Sequence, residues 1–371
     1  MIVLKIGILH NTLNVAGGAE RYALSLIKVL KRNNYHVILG TFDKPDWFTI
    51  EKLWGEKPVK PDACYWIFGR RLPFFGIYQR WLVASRLSKK LNSLTDLTIN
   101  THSDHLYTDA DIVCMHGVTD FNMWFRHSPW HKKLYYIPYK HLLNRGITGD
   151  PVVVANSKYT AKLIWSIYQK KSAIIHPPVD VERYRKLLNK SDDRENMVLM
   201  IGRAAWEKNL EAIPSILEHL DDKDIKFSLV TSSHIPKNKI LMKLKECEQF
   251  NAGQFKIYLN LSPELKASLL KKSKVYLHTS PYETFGISIA EAMSAGLIPV
   301  MIDEGGHIDS FSGLHYHSFE EAAKAIKTAI HNWNYQRAYE YSMEMNRFSE
   351  KVFEKQFLTL LDDISDLKKL K

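Results

Sequence analysis

The sequence predicts an α/β chain built from two doubly wound halves, and three observations carry that expectation. A short apolar run, residues 3–9, leads into Gly17-Gly18 and then a one-sided helical pattern of Tyr22, Ala23, Leu26, Ile27 and Leu30. The same order of strand, glycine turn and helix restarts at residues 197–201. There Gly202-Arg203 precedes the apolar positions Leu210, Ile213, Ile216, Leu217 and Leu220. Between the two, Pro177-Pro178 and the polar stretch 189–196 break regular structure and mark the expected junction.

The remaining elements follow that rhythm. In the first half, residues 37–42, 96–100, 112–115, 152–155 and 173–175 read as strands; in the second, 227–231, 256–259, 275–278 and 298–302 do. Parallel sheets of this kind hold ligands beyond the carboxyl ends of their strands, where the strand order reverses. The expectation is therefore a pair of Rossmann-like domains facing a cleft, spanning residues 1–182 and 183–347. Residues 348–371 carry Val352, Phe353, Phe357, Leu360, Leu361 and Ile364, the stripe of a long amphipathic helix.

Composition narrows the class. With 371 residues, 45% apolar and 25% charged, the chain suits two globular domains and excludes disordered and fibrous proteins. No apolar run reaches the ~18 residues of a spanning helix. The opening run is brief and holds Lys5, unlike a signal peptide, and the three cysteines form no CxxC pair. These features suggest a soluble, cytoplasmic protein. Residues 1–180 hold 24 basic and 13 acidic side chains, whereas the rest hold 27 of each. All of the +11 net charge thus falls in the first half. That suits nucleic acid, anionic lipid, a phosphorylated substrate, or simply a solubilising surface.

Four constellations could carry chemistry. Residues 283–296, ETFGISIAEAMSAG, follow a strand and open a helix near Gly286, where free backbone N–H groups favour a phosphate. Glu283 precedes that helix and Glu291 lies about a turn inside it; both also read as carboxylates complementing the helix dipole. In GRAAWEKN, residues 202–209, Arg203 and Lys208 flank a turn and would neutralise a diphosphate, unless Glu207 simply pairs with a neighbour. Gly17-Gly18 reads as a backbone cradle or an ordinary turn. His116 stands directly after the strand at 112–115, at its carboxyl end. Asp109-Ala110-Asp111 matches a DxD metal pattern but precedes its strand, at the wrong end of the sheet, so no metal site is expected.

Taken together, AGGAER (16–21), VVVANSKYTAKLI (152–164), IIHPPVD (174–180), GRAAWEKN, the E-x7-E segment and Gly305-Gly306 resemble the family 4 retaining glycosyltransferases of GT-B architecture. That resemblance covers nearly the whole chain. It implies a nucleotide-sugar donor and no cofactor or metal. Glu283 would contact the donor sugar and Glu291 the ribose. Arg203 and Lys208 would bind the diphosphate, with backbone at Gly17, Gly18, Phe285, Gly286 and Ile287. His116 would stand near the transferred sugar, and the last helix would return to the first domain. NSKYT, HPPVD and EAMSAGLIPV are most similar to mannosyltransferases that extend lipid-linked oligosaccharides from GDP-mannose. The chain departs from that pattern at Thr284, where a histidine is expected, and at Asp309, where many members carry a glutamate.

A lipid-linked acceptor suggests a membrane surface. Residues 65–90 interleave Arg70, Arg71, Arg80, Arg86, Lys89 and Lys90 with Trp66, Phe68, Phe74, Phe75, Tyr78 and Trp81, and contain no acid. Residues 121–145 repeat the character. The expectation is peripheral contact with anionic lipid at the cytoplasmic face of a membrane rather than nucleic-acid binding. The competing readings are a nucleotide-sugar epimerase, which would convert its donor without an acceptor, and a non-catalytic nucleic-acid module.

Overall fold

The structure, a computed structural model, describes residues 4–68, 76–102, 108–118, 130–143, 149–190, 194–232 and 238–369. The chain divides into two compact units, Met1–Pro177 with Gln356–Lys371, and Pro178–Lys355.

Among the described residues the first unit holds seven strands: β1 (Lys5–His10), β2 (His36–Asp43), β3 (Ala63–Phe68), β4 (Leu97–Asn100), β5 (Ile112–Met115), β6 (Val152–Ala155) and β7 (Ser172–Ile174). All neighbouring pairs are parallel, in the order β3-β2-β1-β4-β5-β6-β7. Strands β1 and β5 are near-continuous apolar runs because helices cover both faces of such a sheet. The chain steps outward from β1 to β3, then returns to β4 on the other side of β1. The strand order therefore reverses between β1 and β4, which pair from Ile6↔Leu97 to Leu9↔Asn100.

Strand β3 was not among the expected elements. It is the edge strand and only half-buried, so its sequence, ACYWIF, shows aromatics rather than a buried apolar run. Its last four residues open the segment read as a membrane face. Gly76–Asn92 of that segment is a helix whose Val83, Ala84, Leu87 and Leu91 pack on the sheet with Leu9 and Ile38.

The second unit holds β8 (Glu195–Ile201), β9 (Lys226–Thr231), β10 (Phe255–Leu259), β11 (Ser273–His278), β12 (Ile298–Ile302) and β13 (Leu314–Tyr316). They are parallel in the order β10-β9-β8-β11-β12-β13, so the order reverses between β8 and β11. Alternation along the central strands feeds two cores. Val198, Met200, Val275 and Leu277 join one face, with Ile213, Ile216 and Ile326. Met197, Leu199 and Tyr276 join the other, with Ile289, Met293 and Phe348.

The division between units differs from the expected 182/183 and 347/348. Val179 and Val181 are buried in the second core, and Val179 N–H donates to Phe348 O at 2.8 Å, so both segments belong to the second unit. The end of that polar stretch is packed as well. Arg194 is buried and donates to Ser273 O and Ala295 O, each at 2.7 Å, satisfying carbonyls at two helix ends. The final helix, Glu350–Lys369, buries Phe353 in the second unit; from Gln356, with Phe357, Leu361 and Ile364 buried, it is grouped with the first.

Candidate functional site

In the second unit the polar groups converge where β8 and β11 diverge. After β8, Gly202-Arg203 leads into a single 3₁₀ turn, Trp206–Lys208, anchored by Thr279 Oγ1 donating to Lys208 O at 2.8 Å. Ser280 Oγ likewise donates to Glu207 O at 2.7 Å. These bonds place Lys208 against the loop after β11, where its Nζ meets Glu283 Oε2 at 2.6 Å. Burial alone would raise the Glu283 carboxyl, yet Lys208 and then His278 outweigh it and hold the group at about 2. The glutamate's own backbone is fixed as well: Gly306 N–H donates to Glu283 O at 2.7 Å.

Gly286 caps the next helix, Ile287–Ser294, with φ 99° and no side-chain cap. The N–H groups of Ile287 and Ser288 at its start have no carbonyl partner within the helix, and a glycine cap offers no side chain to take them. Phe285 contributes backbone only, because its ring is buried against Phe311 and Phe348. Beneath the first turn, Tyr276 Oη donates to Ser288 Oγ at 2.8 Å, tying the helix to β11. Glu291 lies inside this helix, 3% exposed, with Lys266 Nζ at 2.6 Å from its Oε2.

Two expectations change here. Arg203 is two-thirds exposed, and its guanidinium pairs with Glu207 at 2.6 Å, the neighbour considered above. Lys208 and Glu283 are each mostly buried in a shared ion pair. The ribose role of Glu291 now requires a carboxylate already paired with Lys266. Sequence reasoning missed Lys266 and the two buried histidines His278 and His307. The histidines' one signal was position, at or near the carboxyl ends of β11 and β12.

In the first unit, Gly17 caps the helix Gly18–Arg32 in extended backbone. A Cβ there would collide with the carboxylate of Glu20, which folds over the helix start. Glu20 Oε1 lies 3.9 Å from His10 Nε2, and His10 Nδ1 is 2.9 Å from Thr101 Oγ1. His116 follows β5 as expected. Its Nε2 donates to Thr101 O at 3.0 Å, and its ring meets Tyr22 edge-on at 4.8 Å. The strand reversal thus gathers His10, Glu20, Thr101 and His116 at one end of the sheet. At the other end, Asp111 accepts from Thr98 N–H at 2.7 Å and serves the sheet. Among the described residues no group of three metal-ligating side chains is assembled.

Two family descriptions match this chain in succession. Glycosyltransferase Family 4 spans residues 16–183, and Glycosyl transferases group 1 spans residues 180–345. The chain belongs to the group 1, family 4 glycosyltransferases. The first match covers the glycine-capped helix and His116 of this glycosyltransferase, and the second covers Lys208, Glu283 and the helix at Gly286. Among curated relatives, the GDP-Man:Man(3)GlcNAc(2)-PP-Dol alpha-1,2-mannosyltransferase of Caenorhabditis elegans is 27% identical over 48% of this chain and 41% of its own length. The alpha-1,3/1,6-mannosyltransferase ALG2 of Saccharomyces cerevisiae is 22% identical over 82% of this chain and 70% of its own length. The chain thus matches less than half of the first relative. Solved structures share the fold. Sucrose-phosphate synthase of Thermosynechococcus elongatus superposes with a TM-score of 0.77 at 14% identity, covering 98% of this chain and all of that one. Anabaena HepE, solved with UDP and glucose, gives 0.71 at 17% identity, covering 97% and 99%.

Proposed function

We propose that the protein transfers a sugar from a nucleoside diphosphate, with GDP-mannose the favoured donor, to a hydroxyl of a lipid-linked glycan. The observation that carries this is the Lys208–Glu283 pair beside the uncapped helix start at Gly286. A cation and a set of backbone N–H groups suit the charge that develops on a departing diphosphate. A carboxylate held ionised suits the hydroxyls of the sugar. Arg203, exposed five residues before Lys208, would serve as a second cation for the phosphates. These cations meet the leaving group's need, so no metal is required. Transfer is expected to retain anomeric configuration. The relatives support mannose and a lipid carrier: their names specify GDP-mannose and a dolichyl-diphosphate glycan.

A lipid-linked acceptor favours peripheral contact with an anionic membrane, and the first unit offers a face for it. Among the described residues, Trp130, Leu134 and Ile137 are exposed at i, i+4 and i+7 of one helix beside Lys132 and Lys133. Trp66 and Leu82 are also exposed. Arg70, Arg71, Phe74, Phe75, Trp124, Arg126 and Arg145 of the expected face lie outside the described residues. No described helix is long and apolar enough to cross a membrane.

The test is transfer of labelled mannose from GDP-mannose to a short-chain polyprenyl-diphosphate glycan, with and without EDTA. Product formation with retained configuration in both arms supports the reading. Donor consumption without acceptor would replace it with epimerisation or hydrolysis, and loss on chelation would return attention to Asp109 and Asp111.

A further inference from the structure

Behind Glu283 sit two histidines that the reading above does not use. His278 ends β11 and is 3% exposed; His307 follows Gly305-Gly306 and is fully buried. Their rings meet edge to face, with centroids 4.7 Å apart. His307 Nε2 donates to Ile302 O at 2.9 Å, leaving Nδ1 as a bare acceptor without a partner. His278 is hydrogen-bonded to the Ser280 backbone, and its unpartnered Nε2 lies 4.0 Å from Glu283 Oε2. Buried polar atoms are nearly always paired, so two bare ring nitrogens beside a carboxylate need a reason.

The charges around them supply one. Lys208 faces His278 from the 3₁₀ turn, Glu283 from the loop after β11, and His307 from the loop after β12. His315 on β13 faces His307 and is itself 3.4 Å from Asp303. Burial foremost, then the neighbouring histidine, keeps His278 neutral in the free protein; Glu283 opposes this and Lys208 assists it. In that state Glu283 is paired with Lys208 and takes no hydrogen bond from His278. A bound diphosphate competes for the same ammonium. Glu283 would then be left mostly buried without its cation and beside a second anion, an arrangement low-dielectric surroundings strongly disfavour.

We propose that His278 takes up a proton at Nε2 as a diphosphate draws Lys208 away, and donates it in a hydrogen bond to Glu283. The proton comes from solvent, and the Ser280 bond stays on the other ring nitrogen. Closing the gap requires a movement of roughly 1 Å to reach hydrogen-bond distance. His278 is therefore a positioning residue: it keeps the Glu283 carboxylate ionised and aimed while Lys208 serves the phosphates. His307, held neutral by its burial, backs the ring. This rests on the donor reading and adds to it a proton linkage at the same site.

Titration calorimetry of the full chain tests it, with GDP and then UDP as probes, in Hepes and Tris buffers at pH 7.5. The expected result is an enthalpy that varies with the buffer's ionisation enthalpy and reports net uptake approaching one proton. Affinity should then fall, by up to tenfold per unit, as pH rises. Ionisation of the nucleotide's own terminal phosphate releases protons and has the opposite sign. In His278→Gln, uptake should vanish and turnover should fall more than donor KM changes. The wild-type buffer dependence stands even if that variant does not fold. Binding with a buffer-independent enthalpy would overturn the proton linkage and leave the donor reading intact. Binding of neither nucleotide would overturn both.

Discussion

Lys208 and Glu283, 75 residues apart, meet at 2.6 Å with side chains 25% and 15% exposed. A pair this enclosed contributes less by its attraction than its rupture would cost, because either partner alone would be a mostly buried charge. Lys208→Ala should therefore destabilise the fold by about 1–3 kcal/mol as well as abolish transfer. The double variant Lys208→Ala/Glu283→Gln, which removes the leftover charge, should recover part of that loss. Urea unfolding at pH 7 measures both. Equal stability of the two variants would show that the pair is not energetically coupled.

The same cluster makes stability depend on pH in two windows. Burial, with the charges around them, lowers His278 and His307 below the usual 6.5, so the unfolded chain binds more protons than the folded one beneath that value. Their contribution is complete above about pH 6.5 and is lost as pH falls. Glu283 adds a lower window: its contribution holds above the usual 4.5 and is lost as pH drops toward 2. Melting temperature should fall on acidification from pH 7 to 5, and His307→Gln should flatten that slope. An unchanged slope would remove His307 from the account.

Gly305 offers a test of the loop that holds Glu283. Its φ is 104°, and a Cβ there would stand 2.9 Å from Pro281 O and 3.0 Å from Glu283 O, both backbone atoms that cannot swing aside. Gly253 has φ 89° and nothing within 4 Å of a Cβ. Alanine at Gly253 should incur the conformational penalty alone, about 1 kcal/mol. Alanine at Gly305 should cost more and lower turnover at least tenfold by displacing Glu283. Comparable kcat in the two variants, at matched folding, would mean the loop tolerates the shift.

These tests turn on residues that differ in how visible they were beforehand. The central strands were legible because a parallel sheet buried on both faces demands continuous apolar runs, as in Ile112–Met115 and Ile298–Ile302. Edge strands escape that demand. Ala63–Phe68 is half-exposed and Leu314–Tyr316 has three residues, so neither gives a buried run. Glu283 and Gly286 were legible through their spacing before a helix, and Lys208 through its turn. Lys266, His278 and His307 were not, because their importance lies in contacts across 25, 5 and 24 positions that only the folded sheet creates. Arg203 shows the reverse case, a motif residue whose side chain rests on its local neighbour Glu207.

The membrane proposal can be separated from catalysis because its described residues lie in the first unit, away from Lys208 and Glu283 in sequence and sheet. Trp130 is 74% exposed and Leu134 62%, on one face of the helix Trp130–Leu143. Removing exposed side chains costs little fold stability, typically within about 0.5 kcal/mol. At a bilayer the same side chains would be buried, and aromatic rings beside lysines suit the head-group region. Trp130→Ala/Leu134→Ala should thus leave the melting temperature and GDP affinity unchanged while weakening co-sedimentation with anionic liposomes several-fold. Arg70→Glu/Arg71→Glu/Arg80→Glu should weaken it too, and its loss should grow with salt, since each cation near the surface contributes about 1 kcal/mol. Transfer to a soluble short-chain acceptor should survive both changes, whereas transfer to a liposome-embedded one should fall. If wild-type protein ignores anionic liposomes at low salt, these side chains face something other than lipid and the acceptor reaches the enzyme another way.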